Sequence, residues 1–177
     1  MKTCGLYGFI SALGSAFITL ILFFLGFHSD ASKLGAAGWI GGLAGLAITV
    51  TCLALGIKAR RSEVPGAEAF GYGKALGAGV LISLVSSVLS ALFGYLYWAV
   101  INPGIADIVV QSQISKMEAS GVSGDRLDKA EAMTRTMASP LPQAAIALVI
   151  GMVIGVILSL IIAAILKKPE AETPPTL

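Results

Sequence analysis

The amino-acid sequence predicts an all-α integral membrane protein: four transmembrane helices in a bundle, with an extracytoplasmic amphipathic helical hairpin between helices 3 and 4. Composition is the first reason, since 56% of the residues are apolar and only 12% charged, with a mean hydropathy of +0.87, far from a usual soluble domain. The second is that four apolar stretches, at about residues 5–27, 35–57, 72–101 and 141–166, have no charge in their central parts. Each is long enough for a helix to cross the hydrocarbon core. The third is that charges of both signs return over residues 103–139, where no window could span. One membrane domain over residues 1–168 follows. Residues 169–177, with Glu170, Glu172, Pro174 and Pro175, read as a disordered tail.

Taken in order, Gly5 to Phe27 would cover roughly 33 Å as a helix. Met1-Lys2 and the later Ser29-Asp30-Ala31 also fit a secretory signal loosely, but the apolar run exceeds an ordinary signal core, so an uncleaved anchor is expected. After a polar turn (His28, Ser29, Asp30, Ser32, Lys33), the second span carries two overlapping GxxxG pairs, Gly38 with Gly42 and Gly41 with Gly45. Small residues at that spacing let another helix approach closely, inside the bundle or across a homodimer. Lys58, Arg60 and Arg61 close this span. The third is the longest and implies a tilt or a protruding end; Ser83, Ser87, Ser90 and Gly94 form a small, mildly polar stripe along it.

In the insert at 103–139, Ile105, Ile108, Val109 and Met117 mark one amphipathic helix, and Leu127, Ala130, Met133 and Met137 a second. Gly121-Val122-Ser123-Gly124 supplies the turn between them. Asp125 with Lys129 and Glu131 with Arg135 are acid-first pairs at i,i+4. The charge run reads either as a docking surface or as a solvated face. Pro140 and Pro142 start the fourth span, where Ala147, Gly151, Gly155, Ser159 and Ala163 stack on one helix face. Packing of this ladder against spans two and three takes precedence over dimerisation, because the chain supplies both neighbours.

Basic residues near the span ends set orientation. With the N-terminus inside, the cytoplasmic segments hold Lys2, Lys58, Arg60, Arg61, Lys74, Lys167 and Lys168, whereas the first external turn has Lys33 alone. Both termini are therefore expected in the cytoplasm. Trp39, Tyr95, Tyr97 and Trp98 would form the external aromatic belt, and Tyr7 and Tyr72 the internal one.

The residues of chemistry are sparse. No Asp, Glu, Lys, Arg or His lies in the centre of a span, although proton relays and ion-coupled carriers generally need one there. Cys4 and Cys52 lack metal-ligand spacing, and the single His28 reads as a boundary residue rather than a ligand. The third-span serines have no GxSxG turn or partner histidine, and Phe70-Gly71-Tyr72-Gly73-Lys74 does not match a P-loop. No enzyme activity, cofactor or metal is expected, and a formal net charge of +2 gives no reason to expect nucleic acid.

The order of features is that of a known family. The basic loop after span two, the FGYGKAL entry to span three, the Asn102-Pro103 exit, the amphipathic insert, the Ser139-Pro140 restart and the GVILSLIIAAILKK ending together resemble the bacterial membrane family catalogued as domain of unknown function 4199. The resemblance covers almost the whole chain and is strongest from Phe70 to Lys168. Members often carry an acid just before the proline that ends span three, where this chain has Asn102. The resemblance implies a four-span protein of the bacterial inner membrane and assigns no catalytic residue. On these grounds the chain is expected to be a noncatalytic accessory or scaffold subunit that binds partner membrane proteins or itself within the lipid bilayer. The alternative is a small uncharged-solute or lipid-handling transporter acting as an oligomer.

Overall fold

A computed structural model describes residues 1–65 and 70–167. Lys168, the 169–177 tail and part of the loop after the second span lie outside the described residues. Six helices follow one another: α1 (Lys2–Phe24), α2 (Leu34–Ser62), α3 (Tyr72–Leu96), α4 (Ile105–Ala119), α5 (Asp125–Met137) and α6 (Pro140–Leu166). A π-helical turn, Tyr97–Ile101, continues α3. Four of these elements, Lys2–Phe24, Leu34–Ser62, Tyr72–Ile101 and Pro140–Leu166, are long and apolar enough to cross a membrane. In lipid a helix satisfies its own backbone polar groups, which is why uncharged runs of this length fold this way.

Local chemistry sets the ends. Gly26 takes a left-handed φ of 77°, and beyond it the Phe27 amide donates to Leu22 O while the Gly26 amide donates to Phe23 O, a Schellman closure of α1. Gly121, at φ 82°, closes α4 in the same way onto Met117 and Glu118. Pro140 occupies the first turn of α6, where its missing N–H costs nothing. The Gln143 amide of α6 donates back to Met137 O at 2.9 Å, satisfying a carbonyl at the end of α5. Lys58, Arg60 and Arg61 end the apolar run of α2 but not its helix, which continues to Ser62.

The apolar surface is turned mostly outward, as lipid solvation requires. The most hydropathic window of α6 scores 3.0, yet only 17% of it is buried. Phe17, Leu43, Leu92, Val149 and Ile165 are all well exposed. The apolar core lies at one end of the bundle, where Cys4, Leu53, Ile57, Phe70, Ala75, Ala78, Ile82, Ile162 and Ala163 cluster. Close approaches tie this end together. A Cβ on Gly8 of α1 would stand 2.8 Å from Ile82 O, and one on Gly56 of α2 would stand 2.5 Å from Ile82 Cδ1. At the same end, Thr3 donates to Glu63, Arg60 pairs with Glu63 at 2.5 Å, and Arg61 Nη1 donates to Leu166 O at 3.2 Å. That last bond caps the negative end of the α6 dipole. The basic residues of α1 and α2 and the C-terminus of α6, with Lys167 just beyond it, thus share the closed end.

Between α3 and α6 runs the tightest seam. The helices are antiparallel, and small residues interdigitate in reverse order: Gly79 against Ser159, Ser83 against Gly155, Ser87 against Gly151. A Cβ added at Gly79, Gly155 or Gly151 would fall 2.6, 2.5 or 2.8 Å from the opposing hydroxyl. Ser83 and Ser159 donate to Gly79 O and Gly155 O of their own helices; their hydroxyls are 3.5 Å apart. Ala163 is fully buried, one turn further on.

α4 and α5 form the helical pair between α3 and α6. Arg135 joins them, reaching Asp107 of α4 at 2.8 Å and Glu131 of α5 at 3.3 Å. Ile105 and Val110 are buried, but α5 has no buried residue, and Met133 and Met137 are exposed.

Candidate functional site

Away from the closed end, α2 and α6 diverge and leave a crevice. Its cavity, about 310 Å³, is lined from α1 by Ser15, from α2 by Gly41, Gly42, Gly45, Leu46 and Thr49, from α3 by Ser83, Ser86, Ser87 and Ser90, and from α6 by Ala147, Gly151, Ile154 and Gly155. Many of the sequence-predicted packing residues therefore line this space. The structure separates them into two groups. Ser83, Ser87, Gly151, Gly155, Ser159 and Ala163 belong to the α3–α6 seam. Gly38, Gly42, Gly45 and Gly94 have no atom within 4 Å of where a Cβ would stand, and Gly41 meets only Leu22 Cδ1 at 3.3 Å. Ala147 is exposed, and Ser90 is half-buried. The seam also uses Gly79, which the sequence reading passed over; its spacing of four from Ser83 was the available signal.

Two further cavities adjoin the first at Ser15. One, of about 360 Å³, also shares Gly41 and Gly42 and extends to Thr19, Leu34, Gly38 and Val109. The other, of about 290 Å³, also shares Ser90 and reaches Phe93, Gly94 and Tyr97. Both are lined by His28, Trp98 and Ile105, so His28 stands where the space approaches the α1–α2 turn and the start of α4.

The polar groups here fall into two classes. Thr49 donates to Gly45 O at 2.8 Å and Thr19 to Ser15 O at 3.1 Å, the back-bonding that hides a hydroxyl in an apolar helix. The hydroxyls of Ser15, Ser86, Ser87 and Ser90 make no hydrogen bond to another described residue, and Ser87 is only 5% exposed. Such hydroxyls, set in an otherwise apolar lining, are open to water or to a ligand that can bond them.

At the cavity mouth the π-turn assembles a cluster. The Asn102 amide N–H bonds to Tyr97 O at 2.8 Å, an i→i+5 closure, and its side chain Nδ2 reaches Tyr97 Oη at 3.3 Å. Tyr97 Oη lies 2.6 Å from His28 Nδ1, and Asn102 Nδ2 stands 3.5 Å from His28 O. Tyr97 is 2% exposed, packed edge-on against Phe23 and against the His28 ring; it is a buried residue and not part of the aromatic belt expected from sequence. Trp39, 74% exposed, faces outward. Asn102 Nδ2 donates to Tyr97 Oη, which keeps both a lone pair and its own proton for His28 Nδ1, so either tautomer of the ring completes that bond and Nε2 is left free of protein partners among the described residues. Burial pushes the His28 pKa below its ordinary value, in keeping with a neutral ring. The sequence reading placed His28 at a boundary; only its partner, 69 residues away, shows it to be part of a cluster.

Among the described residues no three His, Cys, Asp or Glu side chains group as a metal site. Cys4 and Cys52 are buried free thiols. None of the residues lining the three cavities carries a formal charge with His28 neutral, so the arrangement can hold uncharged hydrogen-bonding groups within an apolar surround.

No curated protein and no solved structure matches the chain. One family model does, over residues 6–168, and its description reads "Protein of unknown function (DUF4199)". With nearly its whole length matched, and with the four apolar helices that the resemblance implied, the chain belongs to the DUF4199 family of membrane proteins of unknown function.

Proposed function

We propose that this protein is a noncatalytic integral membrane protein that takes up an uncharged, lipid-like molecule from the bilayer into the α2–α6 crevice. One observation carries the reading: four cavity hydroxyls, Ser15, Ser86, Ser87 and Ser90, have no partner among the described residues, while Thr19 and Ser83 on the same helices are paired to their own backbone. Access from lipid is supported by the exposure of Gly42, Ala147 and Ile154 along the rim. The test is transfer of an NBD-labelled monoacylglycerol across vesicles reconstituted with the chain, read by dithionite quenching. Faster exchange than in empty vesicles, lost in Gly42→Leu, is expected; equal rates in all three preparations would refute it.

An accessory or scaffold role is the second reading, supported by the Gly38, Gly42 and Gly45 positions, where a Cβ meets no atom within 4 Å. Small residues so placed accept another transmembrane helix. Recovery of the chain from mild detergent as a monomer without a stoichiometric partner would remove this alternative. Under either reading we place the protein in the bacterial inner membrane with both termini in the cytoplasm and the α4–α5 hairpin outside. The placement rests on Lys58, Arg60, Arg61, Lys167 and Lys168, and on Lys2 and Lys74, against Lys33 in the first external turn.

A further inference from the structure

We propose that the meeting point of the three cavities binds a neutral, single-chain amphiphile whose head carries a hydroxyl that hydrogen-bonds His28 Nε2. The inference rests on the crevice reading above and adds the ligand's chemistry to it. Four features define that chemistry.

The head end is a polar site. Tyr97 occupies Nδ1 of His28 and is itself held by Asn102, which leaves Nε2 as the ring's free hydrogen-bonding atom. No described residue bonds Nε2, and His28 lines both cavities that lead inward. A hydroxyl, which both donates and accepts, would satisfy it in either tautomer. The second feature is charge: with no cation among the lining residues, a phosphate or carboxylate head would lose its hydration without compensation. The third is the row of unpaired hydroxyls further in, with Ser87 95% buried by its 5% exposure. They meet further oxygen atoms of the head, or water carried with it. The fourth is size and lining. The cavities, about 290 to 360 Å³ each, are in the lower range for small-molecule sites. Gly41, Gly42 and Gly45, with Leu46 and Ile154, present an apolar flank open to lipid, where one chain can lie against the backbone. Two chains would need a wider channel.

Monoolein, with one acyl chain, one ester carbonyl and two hydroxyls, has the required chemistry, and oleoyl lysophosphatidylglycerol shares its chain but not its neutral head. Each is titrated into the purified full-length chain and followed by native mass spectrometry after release from detergent. Saturable one-to-one binding of monoolein is expected, with weaker binding of the phosphate-headed probe. His28→Phe, which removes the ring nitrogens, should weaken monoolein about tenfold, the equivalent of one lost neutral hydrogen bond. His28→Gln, which keeps a donor and an acceptor, should restore most of it. Gly45→Leu should block the chain-binding flank without lowering the thermal unfolding midpoint, since a Cβ at that position meets no atom within 4 Å. If Gly45→Leu blocks binding but His28→Phe and wild type bind alike, the head-group assignment is overturned and the crevice reading stands. If neither probe binds wild type saturably, both are overturned. Tighter binding of the phosphate-headed probe also overturns the inference.

Discussion

A Cβ at Gly155 would stand 2.5 Å from Ser83 Cβ and Oγ, whereas at Gly42 it would meet nothing within 4 Å. Identical residues on similar apolar helices therefore have opposite roles. Gly155→Leu should destabilise the bundle by about 1–3 kcal/mol, the usual scale of overpacking, read as a lower unfolding midpoint in detergent. Gly42→Ala should not lower it, because a helix interior favours Ala over Gly by about 1 kcal/mol. If Gly155→Leu abolished self-association and left thermal stability unchanged, the seam would have to lie between two copies instead. His28 makes a second prediction at this scale. Burial lowers its pKa in the fold, so below about 6.5, the ordinary value, the unfolded chain binds a proton more readily than the folded one. That contribution to stability is intact above this pH and is lost as pH falls through the window beneath it. Thermal unfolding between pH 8 and pH 5 should show a falling midpoint in wild type and a flatter one in His28→Gln. The nearby Asp30 already sits low, held by hydrogen bonds from Ser32, and stays charged across this range. The sequence indicated that the Gly155 ladder packs inside the bundle, but it did not separate Gly155 from Gly42, whose small-residue spacing is equivalent, and it showed no partner for His28.

At the scale of elements, long apolar runs located the helices well, because a lipid-spanning segment has no other way to satisfy its backbone. The exceptions are informative. The apolar run of α2 stopped at Ile57, but the helix continues to Ser62, since Lys and Arg are good helix formers and are excluded from lipid, not from helices. The third span ends in a π-turn, Tyr97–Ile101, that no composition announces. In an α-helix, residues five apart stand about 140° apart around the axis; the wider turn brings Asn102 under Tyr97 and so makes the cluster with His28 possible. π-Turns commonly mark functional sites for this reason. In the hairpin, the Glu131 and Arg135 pair expected from i,i+4 spacing is formed, and Arg135 also spans to Asp107 of α4, a contact that sequence spacing could not indicate.

For the whole molecule, basic residues of α1, α2 and α3 gather at the closed end, beside a separate cavity of about 250 Å³ that Arg60 and Lys74 line, and the three joined cavities lie toward the other. If the positive-inside rule governs insertion, the crevice and the hairpin face away from the cytoplasm. Ser123→Cys, in the exposed turn between α4 and α5, should be labelled by a membrane-impermeant maleimide added to intact cells. Labelling only after the cytoplasmic side is opened would reverse the orientation and put the cavity mouth inside.

The sequence by itself determined that four segments cross the bilayer, where each begins and ends to within a few residues, and which faces carry small side chains. Those are local properties, dictated by hydropathy, helix periodicity and the cost of unsatisfied backbone in lipid. Only the tertiary structure decided which small faces are filled. The α3–α6 seam pairs Gly79 with Ser159 and Ser83 with Gly155, residues more than seventy positions apart, and it does so because hydroxyl and glycine alternate in antiparallel register. The glycines of α2 have the same spacing but no such complement opposite them. The space left there, together with the unpaired hydroxyls and the His28 cluster, follows from how the helices diverge beyond their common core.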